Sequence, residues 1–114
     1  MHTVKAMPIE DLLMPKEEIL YSVRKVYVGD QKYDAYITNK RLIFYRQVGT
    51  LFKKDDFIAI KLKDIENVMY KEEGTIKKKG VLYVELPKRK LAIYGSRDAI
   101  RGFYQNLMQY WESE

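Results

Sequence analysis

Few side chains in this sequence have types and spacing suited to chemistry, and their placement argues against catalysis. His2 is the sole histidine and sits at the extreme N-terminus, with no acid or nucleophile spaced to work with it. Ser22, Ser96 and Ser113 have no base at a spacing that would activate a hydroxyl. Carboxylate pairs such as Glu17-Glu18, Asp55-Asp56 and Glu72-Glu73 are adjacent residues in turns or strand ends, where neighbours point to opposite faces. General acid–base work needs groups that converge on one reacting atom, so these pairs read as solvated surface. There is no cysteine, hence no thiolate nucleophile, disulfide or cysteine-based metal site. No phosphate-cradling glycine loop, zinc-binding His pair or calcium-loop spacing occurs. The expectation is a non-enzyme with no catalytic residues, no metal ligands and no cofactor.

What remains is charge. The formal net charge is +5, and residues 77–101 hold eight basic groups against two acidic ones, a net of +6. Residues 1–76 hold thirteen against twelve. Three basic clusters stand out: Lys53-Lys54, Lys77-Lys78-Lys79 and Lys88-Arg89-Lys90. On one shared face they would contact an anionic surface, each lysine near an anionic bilayer contributing about 1 kcal/mol. Dispersed, they are ordinary solvated charge. Leu51 and Phe52, beside Lys53-Lys54, either wedge into such an interface or fold back onto the domain. Ten tyrosines next to basic groups also fit base stacking. Yet Tyr33, Tyr36, Tyr45, Tyr70, Tyr83 and Tyr94 lie where strand propensity accounts for them, so nucleic acid ranks third among partners.

Positioning these groups falls to a series of short strands. Residues 36–45 read as two strands meeting at a polar corner, Thr38-Asn39-Lys40-Arg41. Strands are expected over 17–28, 32–38, 41–47, 57–63, 68–72, 80–86 and 89–94. The first is bent or bulged at Arg24-Lys25, where the alternation slips. Residues 74–79 and Pro87-Lys88 make hairpin tips, and the tips either converge or lie at opposite ends. A short helix over 7–14 starts at Pro8 and stops at Pro15. Near the C-terminus Ser96 is a helix N-cap, and Ile100, Phe103, Tyr104, Leu107, Tyr110 and Trp111 recur at the helical period. The expected core is Ile37, Leu42, Phe44, Ile60, Leu62, Ile65, Val68, Leu82, Val84, Leu91, Ile93, Phe103, Leu107 and Trp111. Outward-facing Ile43, Tyr45, Met69 and Tyr83 form an apolar stripe of the kind a protein partner covers.

A chain of 114 residues, 46% of them apolar, buries one core. Seven consecutive strands and one closing helix give a mainly β (α+β) architecture. It is a seven-stranded antiparallel barrel stopped at one mouth by the C-terminal helix, with a short N-terminal helix. The expected layout over 1–114 is one domain: an extension over 1–16, the barrel over 17–95 and the capping helix over 96–113. No apolar run reaches the eighteen or so residues of a membrane span, and the N-terminus has no signal-like apolar stretch. With the lack of cysteine this points to the cytoplasm, with or without peripheral contact at a membrane.

Tyr36-Ile37-Thr38-Asn39-Lys40-Arg41-Leu42-Ile43-Phe44 closely resembles the corner pattern of the prokaryotic PH-like and GRAM-like branch of the pleckstrin-homology superfold. Ile60-Lys61-Leu62-Lys63-Asp64-Ile65-Glu66-Asn67-Val68, the lead-in Met14-Pro15-Lys16-Glu17-Glu18-Ile19-Leu20 and the helix from Ser96 to Trp111 fit the same branch. The resemblance spans nearly the whole chain. It implies a PH-like barrel and a non-catalytic binding or scaffold module, in a superfold that hosts lipid-head-group binders, peptide binders and oligomerisation modules. Phosphoinositide-binding PH domains carry several basic residues around the first hairpin loop. Here Val28-Gly29-Asp30-Gln31-Lys32 offers one lysine and one aspartate, so any anion site is expected on other loops. The first functional expectation is protein interaction or self-association into a homo-oligomer. The alternative is docking on anionic lipid through the basic tips.

Overall fold

The computed structural model describes residues 8–48 and 54–111, with side chains over 9–47 and 56–111. Seven strands follow in order: β1 (Ile19–Val28), β2 (Gln31–Thr38), β3 (Arg41–Val48), β4 (Lys54–Lys61), β5 (Asn67–Glu73), β6 (Lys79–Leu86) and β7 (Arg89–Ser96). The helix α1 (Arg97–Trp111) follows β7. The sheet order is β4-β3-β2-β1-β7-β6-β5, every described pairing antiparallel. Two meanders are therefore joined where β1 meets β7, a ladder only two pairs long, Tyr27↔Tyr94 and Val28↔Ile93. β4 and β5 are the two edges, so the barrel is open along that seam. A 3-10 turn, Leu62–Asp64, carries the chain across it and drops Leu62 and Ile65 into the core.

β1 serves both meanders because it bends. Its register against β2 slips between Val23 and Val26, and Lys25 sits at φ 65, a left-handed conformation that costs a side-chain-bearing residue about 1–2 kcal/mol. The broken alternation at Arg24-Lys25 marks this bulge. Beyond it Val26 is fully buried opposite Tyr33.

The inward faces of both meanders and one face of α1 form a single core. Ser96 caps the helix, accepting the Ala99 N–H at 3.2 Å. Ile100 sits in a notch made by Gly80 and Gly95, which face each other across β6 and β7. A Cβ at position 80 would stand 2.6 Å from that of Ile100. Phe103 meets Phe44 edge-on at 6.1 Å. Trp111, expected inside, is only half-buried, so Ile100, Phe103 and Leu107 fill the space beneath the sheet.

The N-terminal segment forms a second, smaller core. Pro8–Leu12 is a 3-10 turn rather than a helix over 7–14; Pro15 leaves too little chain for α-helical turns to accumulate. Ile9 is buried, and with Leu12, Leu13 and Ile19 it covers Tyr36, Ile43 and Tyr45. Two members of the expected outward stripe, Ile43 and Tyr45, are thus interior residues. Met69 and Tyr83 stay outside. β4 starts three residues earlier than the alternation implied. Leu51, Phe52 and Lys53 lie outside the described residues, as does the side chain of Lys54.

Candidate functional site

The Thr38-Asn39-Lys40-Arg41 corner clasps the lead-in segment. Thr38 Oγ1 accepts the N–H groups of Lys40 (3.0 Å) and Arg41 (2.8 Å), and its hydroxyl donates to Glu17 at 2.6 Å. Asn39 accepts from Glu18 N–H at 2.9 Å and donates to the Lys16 carbonyl at 3.1 Å. Lys40 donates to the Pro15 carbonyl at 3.3 Å. Arg41 grips both oxygens of Glu17, at 2.9 and 2.8 Å, and the Leu12 carbonyl at 2.9 Å. Glu17 is therefore no solvated acid. Burial alone would raise its pKa, but the bonds from Arg41, Met14 N–H and Thr38 outweigh it and hold the group at about 2. A carboxylate so fully engaged and so shut from water holds structure and has no free lone pair for chemistry.

The structure separates the basic clusters. β6 pairs Lys79 with Ser96 and Leu86 with Arg89, so the tip at Lys77-Lys78-Lys79 and the tip at Lys88-Arg89-Lys90 lie a full strand apart, roughly 25 Å. Arg89 instead borders a shallow cleft with Lys61, Asp64 and Pro87. Lys40, Lys61 and Lys63 ring another cleft of about 340 Å³ beside the clasp. Much of the remaining charge is answered internally: Arg101 by Glu72, Arg97 by Asp98, and Lys90 by Glu85 and the Tyr83 ring.

Lys77, Lys78 and Lys79 border a groove of about 850 Å³. Its floor is the β1–β7 junction, where the register sets Tyr27 beside Tyr94, 42% and 40% exposed. Lys25, placed by the bulge, and the glycines Gly29 and Gly95 complete it. The β5–β6 hairpin that forms its wall turns at Gly74, φ 94, and is pinned to the helix start by Arg97 N–H donating to the Lys78 carbonyl at 3.3 Å. At the crest of this hairpin Ile76 is 93% exposed. Beyond Tyr94, the next outward row across the sheet is Ala92, Tyr83 and Met69, with Met69 50% exposed. Lys25, Tyr27 and Tyr94 were not singled out by spacing, since no local pattern shows that β1 will lie against β7. Their outward parity in their strands was the available signal.

A twice-wound antiparallel sheet with a C-terminal helix under it is the architecture of a PH-type domain. The sequence model described as Bacterial PH domain matches residues 13–108, and the chain belongs to that family. Among proteins of curated function none matches the sequence. Crystal structures that share the fold include these three. One, a pleckstrin homology domain from Shewanella amazonensis SB2B, is 21% identical with a TM-score of 0.68, covering 90% of this chain and 91% of that one. The second, the C-terminal domain of an unknown protein from Leishmania infantum, is 16% identical with a TM-score of 0.68, covering 90% of each. The third, a DUF1696 family protein with a pleckstrin-homology domain from Shewanella loihica PV-4, is 17% identical with a TM-score of 0.64, covering 90% and 86%. PH domains are in general non-catalytic binding modules. Among the described residues no helix is long and apolar enough to cross a membrane.

Proposed function

We propose that this bacterial PH domain docks a protein partner, a second copy of itself included, on the outer face of β1, β7, β6 and β5. The observation that carries this reading is the row of apolar and aromatic side chains Tyr27, Tyr94, Ala92, Tyr83 and Met69 on that face, whose three most exposed members are 40–50% open to solvent. Contiguous exposed patches of this kind mark interaction sites, and tyrosine and methionine are enriched in protein interfaces. The neighbouring edge of β5 adds unpaired backbone groups to which a partner strand can bond. A photo-crosslinking residue placed at Met69 should yield a discrete protein adduct in cells, and one placed at the exposed helix position Gln105 should not. An adduct of twice the chain mass identifies a second copy. Equal, diffuse labelling from both positions ends the reading.

A second reading has its own observation. Ile76 stands almost fully exposed next to Lys77, Lys78 and Lys79, an apolar tip with adjoining cations that suits an anionic bilayer. Co-sedimentation with anionic vesicles, lost at high salt and on Ile76→Asp, supports it. Vesicle binding that is unchanged at high salt or by Ile76→Asp ends this reading.

A further inference from the structure

We infer that the groove between the β5–β6 hairpin and the β1–β7 junction takes an acidic, extended polypeptide segment. Its carboxylates lie against Lys25, Lys77, Lys78 and Lys79, and an apolar side chain rests on Tyr27 and Tyr94. This rests on the docking reading above and names the chemistry of the partner.

The charges lining the groove are all of one sign. Among the described residues none of the four lysines makes an ion pair, and three carboxylates on neighbouring elements are paired elsewhere. Glu72 is held by Arg101, Glu73 by Lys71 and Asp98 by Arg97. Four unanswered cations around one concavity repel each other in the free protein and complement an acidic partner. The concavity decides between partners. A flat bilayer meets the crest at Ile76 and leaves the tyrosine floor untouched. At about 850 Å³ the space is in the range of sites that enclose a substantial ligand, far more than one phosphate fills. From Lys25 to Gly29 the floor runs roughly 13 Å, the length of about four residues of extended chain. The lysines flank a floor only about four residues long, whereas nucleic acid is held by charge that continues along many phosphates. The wall is preorganised, because the hairpin is tied to α1 through Lys78, so little ordering is needed on binding.

The test is fluorescence anisotropy with the full chain and a labelled short peptide alternating glutamate and phenylalanine, against the same peptide with glutamine for glutamate. The glutamate peptide should bind at least about tenfold more tightly and lose affinity as salt rises. The triple variant Lys77→Ala/Lys78→Ala/Lys79→Ala and the single variant Tyr94→Ala should each weaken it about tenfold with circular dichroism unchanged. Equal affinity for both peptides overturns the inference. So does binding indifferent to the lysines, or saturable binding of oligothymidylate or phosphatidylserine vesicles at these residues with the peptide unbound. A protein adduct from position 69 without acidic-peptide binding overturns this inference and leaves the docking face standing. If both fail, both readings fall.

Discussion

The Glu17 side chain has 0% exposure and accepts four hydrogen bonds, two from Arg41 and one each from the Thr38 hydroxyl and Met14 N–H. Its folded pKa, about 2 against an ordinary 4.5, means that the fold favours the ionised form. The stabilisation is full above pH 4.5 and disappears as pH falls towards 2, amounting to about 3 kcal/mol. Urea unfolding should therefore show Glu17→Gln well below the parent chain at pH 7 and close to it at pH 2. A gap that stays constant with pH would mean that charge is not what the clasp holds. Arg41→Met leaves a buried carboxylate unpaired and should cost about 3–5 kcal/mol. Adding Glu17→Gln to it should cost little more, because the two residues act as one unit. The corner itself was legible as a corner. Its partner was not: Glu17 and Glu18 look alike in sequence, and the left-handed Lys16 before them, φ 66, together with the reach of Arg41, sends only the first one inward.

At the scale of elements, the alternation of period two and its change to the helical period placed the strands, the β1 bulge and the capped α1. What the patterns missed is where a residue serves packing instead of punctuation. Gly95 looks like a strand terminator, yet β7 runs through it to Ser96, and its lack of a side chain makes room, with Gly80, for Ile100. Gly80→Ala should accordingly destabilise by about 1–3 kcal/mol through overpacking, read as a lowered urea midpoint. An unchanged midpoint would show that the helix shifts freely on the sheet. Phe103→Ala should cost about 3–5 kcal/mol. Trp111→Ala should cost less, since that ring packs against the edge of the core and is only partly buried. The buried state of Ile43 and Tyr45 was equally hidden. Strand parity says outward, and only the return of the N-terminal segment over that face gives the residues a second core.

Across the whole molecule, the concentration of positive charge in residues 77–101 was plain in the sequence, but folding redistributes it. β6 carries the two lysine-rich tips to opposite ends, and the β1–β7 ladder brings in Lys25 from the other half of the chain. The groove that results joins residues some fifty positions apart, a juxtaposition set by sheet order and invisible to local spacing. Its lysines are exposed and make no described ion pair, and Glu73, opposite Lys79 across β5 and β6, is itself paired with Lys71, so the mutual repulsion of the cluster is at most partly offset. Residues retained for binding at some cost in stability behave this way. The triple variant Lys77→Ala/Lys78→Ala/Lys79→Ala should then melt no lower than the parent. At low ionic strength it should melt slightly higher, by about 0.5 kcal/mol or less, and the difference should shrink as salt screens the cluster. Thermal unfolding at low and high salt reads this directly. A clear fall in Tm at both would assign the lysine stems to packing of the hairpin against α1. A salt-dependent rise would leave an acidic partner as the reason for placing three cations on one tip.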